Sequence, residues 1–99
     1  MGRMTVYLTD GTSTALEVDK APTLEQLQKL VGGYIEIVHV LYNGQRAQMI
    51  VNDEGHIHGM PPNHMGTAIY HATARLRGYV TGHLIVGDVV VLEGSAMLK

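Results

Sequence analysis

The sequence predicts a single α+β domain over residues 1–99, a largely antiparallel sheet with two helices on one side of it, in the order ββαββαββ. Three observations carry that reading. Apolar and polar residues alternate near the start of the chain with the period of two that marks half-buried strands. Two stretches begin with helix-capping residues and continue with apolar residues at helical spacing. Turn pairs containing glycine, Asp10-Gly11, Asn43-Gly44 and Gly87-Asp88, stand between apolar runs, where hairpins require them.

Over residues 3–9, Met4, Val6 and Leu8 alternate with Thr5, Tyr7 and Thr9, which predicts the first strand. Asp10-Gly11 turns the chain, and Thr14, Leu16 and Val18 resume the alternation. Thr23 followed by Gln26 forms a capping-box pattern, and Leu24, Leu27, Leu30 and Val31 give the first helix one apolar face. Gly32-Gly33 stops it. Residues 34–42 are apolar on both faces except at Glu36 and His39, which predicts a central strand. Residues 47–51 are its partner across Asn43-Gly44. Asn63 caps a second helix running to about Leu76, with Met65, Ile69, Ala72 and Leu76 on one side and Gly78 at its end. Two last strands are expected at residues 83–86 and 89–92.

Composition narrows the function classes. A net charge of −2 argues against a nucleic acid polymer as partner, and the absence of cysteine removes disulfides, thiolate metal sites and cysteine nucleophiles. No secretory leader and no membrane-spanning run is evident, so a cytoplasmic protein is expected. Charged residues are only 16% of the chain, and phenylalanine and tryptophan are absent. A small aliphatic core of this kind, with strands apolar on both faces around residues 35–41 and 84–92, predicts a homo-oligomer.

The opening third, a hairpin and then a capped helix preceded by Leu16-Glu17-Val18, resembles the start of a ubiquitin-like β-grasp fold. A second likeness covers more of the chain. Gly32-Gly33-Tyr34-Ile35-Glu36, Val51-Asn52-Asp53-Glu54-Gly55, Pro61-Pro62-Asn63, Ala68 and Ile85-Val86-Gly87-Asp88 occur in fixed order. That series resembles a family of small domains encoded by bacteriophages, plasmids and other mobile elements, which carries no settled activity. The resemblance implies an accessory protein of such elements. The additional histidines here depart from the family's usual look.

The segment from Asn52 to Thr67 holds the strongest candidate site. It combines a turn, two prolines and a helix start, giving a rigid exposed backbone between apolar segments. The first-turn amides after Asn63 attract phosphate or carboxylate, Gly66 allows close approach, and Thr67 adds a hydroxyl. Asn52, Gly55 and Pro62 shape the approach, and Tyr34, Glu36 and Arg75 are placed with them as ligand-binding residues. A well-made cap that binds only water is the plainer alternative. Gly66→Val is expected to leave the fold intact while obstructing a ligand.

His56, His58 and His64 are spaced so that they could share a zinc or nickel ion, but they lack a matching set of thiolate or carboxylate ligands. Metal and cofactor are therefore not expected. Ser13 and Ser95 lie in no nucleophile context, and no phosphate loop, dinucleotide fingerprint or zinc-protease motif is present. The expectation is a non-catalytic protein that sequesters a small anionic, nucleotide-type ligand, such as a signal of antiphage defence. An interaction module that inhibits or bridges a host protein is the alternative.

Overall fold

The computed structural model describes residues 1–99, and local chemistry sets most of its element boundaries. Strands β1 (Gly2–Tyr7) and β2 (Ser13–Val18) form the first hairpin, followed by helix α1 (Leu24–Val31). Thr23 Oγ1 accepts from the Gln26 amide at 3.2 Å, and Gln26 Oε1 accepts from the Thr23 amide at 2.8 Å, completing the capping box. Strands β3 (Ile35–Tyr42) and β4 (Gln45–Asn52) follow, joined by Asn43 and Gly44. Both turn residues have positive φ, 52° and 77°, the twist that a two-residue hairpin needs. Helix α2 (His64–Leu76) and strand β5 (Val89–Gly94) complete the chain.

The five strands form one antiparallel sheet in the order β2-β1-β5-β4-β3. The α+β class is as expected, and the hairpin-then-helix opening is present. Three expectations are corrected. The helices lie on opposite faces of the sheet, not on one. Leu27 and Val31 of α1 pack with Ile50, Val90 and Leu92, whereas Ile69 of α2 packs with Met49, Val51, Val89 and Val91. Alternate residues of β4 and β5 thus feed two separate clusters. Connectivity explains this: α1 carries the chain across one face from the β2 edge to the β3 edge. Helix α2, which joins the neighbours β4 and β5, takes the other face.

The second correction concerns β3, which is an edge strand and not a central one. An eight-residue helix is only about 12 Å long, so α1 cannot cover the far end of its face. Ile37 and His39 are consequently exposed. The strands buried on both sides are β4 over residues 47–52 and β5 over residues 89–92. Their two-faced apolar character is satisfied within one chain.

Third, residues 83–86 form no strand of a closing hairpin, and the observed order is ββαββαβ. Their backbone finds other partners. Ile85 N–H donates to Thr67 Oγ1, Ile85 O accepts from Asn63 N–H, and Val86 makes one bridge to Pro62. Gly87, at φ 78°, then turns the chain into β5, whose neighbours on both sides are already β1 and β4.

The outer edge of β3 is partly closed by α2, which packs on the face opposite α1. Thr73 is buried, and its Oγ1 accepts from the Leu41 amide at 3.0 Å while lying 2.9 Å from Ile69 O. On the same face the hydroxyls of Tyr7 and Tyr42 pair, tying the end of β1 to the end of β3. Burial first, and the Tyr42 hydroxyl second, push the Tyr7 hydroxyl well above the ordinary tyrosine range.

Two outcomes follow from these contacts. Thr73→Val keeps the shape but leaves the Leu41 amide without its partner. It should lower unfolding free energy by about 1–2 kcal/mol in urea titrations and speed exchange of that amide. Tyr7 binds its proton more tightly folded than unfolded, so its contribution is complete below the ordinary tyrosine pKa. That contribution is lost as pH climbs through and beyond that value. Melting temperature measured through the alkaline range should therefore fall less steeply in Tyr7→Phe than in wild type.

Candidate functional site

The junction between the long loop and α2 is built around Asn63, whose side chain is fully buried. Its Oδ1 accepts from the Gly66 amide at 2.8 Å, the cap that the sequence predicts. Its Nδ2 donates to Tyr7 O and to Gly87 O, both at 2.9 Å. Its backbone N–H donates to Ile85 O at 2.8 Å, and its carbonyl accepts from the Thr67 amide at 2.9 Å. One residue thus ties the helix start to the end of β1 and to the segment before β5.

Asn52, Gly55 and Gly66 are buried as well, whereas Pro62 and the three histidines of this segment are exposed. A Cβ on Gly66 would lie 3.0 Å from Ile85 Cγ2 and 3.3 Å from Asn63 Oδ1, so any larger side chain must push these neighbours aside. The expectation that valine at this position leaves the fold intact is corrected on that ground. Gly55 is equally constrained, since a Cβ there would lie 2.9 Å from Val86 Cγ2. Asn52 is buried, donating to Val31 O at 3.1 Å and accepting from the Glu54 amide at 2.8 Å. Pro62 bridges Val86, and Thr67 holds Ile85. Tyr34, Glu36 and Arg75 are exposed.

Glu36 borders a cleft of about 280 Å³ between β3, α2 and the loop, together with Asp53, His56, Tyr70 and His83. His83 stands between His56 and Tyr70, with ring centroids 5.2 and 5.4 Å away. His56 Nε2 lies 2.9 Å from Leu84 O, and His71 Nε2 lies 2.7 Å from His83 O, positions in which each imidazole donates. These bonds fasten residues 83–84 to the body of the domain. His58 Nε2 is 3.8 Å from Glu54 Oε1 on the surface, and His64 is exposed at the start of α2. No three His, Asp or Glu side chains are grouped to hold a metal ion. Two carboxylates at this cleft oppose an anion.

A second cleft, of about 500 Å³, has the opposite character. It is lined by His39 of β3, Arg46 and Gln48 of β4, Arg77 at the end of α2, and Met97. No carboxylate side chain lines it. Gln48 anchors the C-terminal segment as its wall, donating to Leu98 O at 2.9 Å and accepting from the Leu98 amide at 2.6 Å. His39 stands opposite Gln48, and Leu41 opposite Arg46, in the β3–β4 ladder. Arg46 and Arg77 are both exposed, and neither is held in an ion pair within the chain.

Sequence reasoning missed this cleft because Arg46 and Arg77 are far apart in the chain. Arg77 stands only two residues from Arg75, with which it cannot share a helix face. Only the packing of α2 against β3 brings Arg77 and Arg46 to the same cleft. The available signal was the pair of positions itself: one arginine just after the Asn43-Gly44 turn, the other where α2 ends.

Residues 4–96 match a family described as a domain of unknown function, DUF3846. No curated protein and no solved structure matches the chain. No helix is long and apolar enough to cross a membrane.

The junction predicts a specific mutational pattern. Asn63→Ala should cost about 3 kcal/mol in chemical denaturation, more than the ~1 kcal/mol of a helix cap alone, because two buried carbonyls also lose their donor. Asn63→Asp keeps the acceptor for Gly66 and loses both donated bonds. It should destabilise too, whereas a simple cap would tolerate aspartate.

Proposed function

The chain belongs to the DUF3846 family of domains of unknown function, and we propose that it is a non-catalytic binding domain that captures a small anionic ligand of nucleotide type. The observation that carries this reading is the convergence of Arg46, Arg77 and His39 on one cleft without an opposing carboxylate. Guanidinium groups present planar forks of donors that match phosphate oxygens, and two of them give a diphosphate or phosphodiester two anchoring points. The volume, about 500 Å³, falls in the usual range for small-molecule sites. His39, which is exposed, adds a polar edge for a base or sugar.

The same lining supports binding without turnover. The cleft holds no serine, threonine or carboxylate to serve as nucleophile, and His39 is the one lining side chain of a type that acts as a general base. Because both arginines are exposed, affinity should weaken as salt rises. In its fuller form the proposal places the domain in the cytoplasm of a bacterial host as an accessory protein of a phage or other mobile element. There it would withdraw a nucleotide signal used in defence. The motif series from Gly32-Gly33 to Gly87-Asp88 supports that setting.

Calorimetric titration of mono-, di- and cyclic nucleotides against wild type and single-residue variants tests the reading. Arg46→Ala and Arg77→Ala should each weaken binding at least about tenfold, as expected for a charge-assisted contact worth roughly 1.5–3 kcal/mol. Arg75→Ala should leave it unchanged. Binding that survives loss of both cleft arginines, or no binding across the panel, would remove the proposal. Loss with Arg75→Ala alone would move the site to the outer surface of α2.

A further inference from the structure

The two edges of the sheet are treated differently. At the β3 edge, the Leu41 amide is occupied by Thr73 of α2. At the β2 edge, Ser13 through Glu17 are all exposed, and the strand pairs with β1 over six consecutive residues without a bulge. It contains no proline or lysine, and its one charge is Glu17. The usual devices that blunt a strand edge are therefore missing from it.

The phase of the ladder identifies which groups point outward. Leu8 N–H donates to Thr12 O at 2.9 Å, and hydrogen-bonded pairs alternate along an antiparallel ladder. Thr14, Leu16 and Val18 therefore exchange bonds with β1, and the backbone groups of Ser13, Ala15 and Glu17 face away from it. Beside this edge, on the α1 face, lies an open groove of about 820 Å³ lined by Met4, Leu16, Val18, Pro22 and Leu30. Leu16 is 51% exposed at its rim.

We propose that β2 pairs with β2 of a second copy, antiparallel about a two-fold axis through Ala15, to give one continuous ten-stranded sheet. The sequence of the edge fits itself in this register. Ala15 faces Ala15 of the second copy, and Ser13 faces Glu17, both as hydrogen-bonded pairs. Thr14 faces Leu16, so the two Leu16 side chains meet diagonally beside the joined grooves. Just beyond the strand, Lys20 comes opposite Asp10, whose exposed carboxylate is held by Thr12 N–H at 2.8 Å. Glu17 and Asp19 face the neutral Ser13 and Gly11. Every charge therefore meets a neutral residue or its opposite, which a second copy supplies and an arbitrary peptide does not. This inference is independent of the ligand proposal.

Sedimentation velocity of the full chain, from about 10 μM to about 1 mM, tests it. Wild type should sediment at twice the 10.8 kDa chain mass, with slow exchange of the Ser13, Ala15 and Glu17 amides. Ala15→Pro removes an outward N–H without breaking a bond to β1, and Leu16→Lys places charge at the dyad. Both should be monomeric, with wild-type circular dichroism confirming that they fold. Asp10→Lys and Lys20→Asp should each weaken the dimer about two- to fivefold or more, and the double exchange should restore it. A wild-type monomer throughout this range overturns the proposal and leaves the edge to an extended segment of another protein. A dimer that persists in both Ala15→Pro and Leu16→Lys overturns it equally.

Discussion

The buried amide of Asn63 is the contact on which the arrangement of the loops depends. Helix α2, the end of β1 and the approach to β5 come from three distant parts of the chain, and each offers a backbone group that needs a partner. Asn63 satisfies one amide and two carbonyls with a single planar side chain, while its own backbone serves Ile85 and Thr67. Burial makes the geometry strict, because an unmatched donor or acceptor there has no water to turn to. Gly66 and Gly55 follow from the same constraint: the segment 85–87 presses so closely on the loop that a side chain at either glycine would displace it.

From that joint the rest of the layout follows. With residues 83–87 fastened to the loop and α2, β5 enters between β1 and β4 and becomes the centre of the sheet. Its Val89 and Val91 pack under α2, and its Val90 and Leu92 under α1. A domain of this size thereby divides its apolar residues between two small clusters on either side of one sheet. Neither helix is long enough to cover its whole face. The uncovered parts are where the surface becomes chemically distinctive: the basic cleft at the far end of β3 and β4, and the apolar groove between β2 and α1.

Electrostatics separates the two concave sites. The cleft beside the histidine-rich loop carries Glu36 and Asp53, and its histidines are engaged in holding residues 83–84. The cleft beyond it presents Arg46, Arg77 and His39 with no carboxylate opposite them. An anion is repelled at the first and attracted at the second. Within the rigid loop and helix start, Asn52, Asn63 and Thr67 spend their polar groups on internal partners and so brace the domain.

Local signals in the sequence determined the capping box of α1, the Asn43-Gly44 hairpin, the Asn63 cap, the limits of α2 and the α+β class. Each depends on residues within one turn or one hairpin, where side-chain chemistry acts directly on neighbouring backbone. What the sequence could not determine was which apolar face met which partner. Residues 34–42 look central because they are apolar on both sides, yet coverage depends on helix length and crossover path, and β3 ends at the edge. Residues 83–86 look like a strand, but their bonds go to Asn63, Thr67 and Pro62. Arg46 and Arg77 come to line one cleft only when α2 packs against β3. The caps, the hairpin turn and the limits of α2 were legible because their causes are local. Tertiary structure alone decided the order of the strands in the sheet, the face each helix covers and which residues line each cleft, because those depend on contacts between residues remote in the chain.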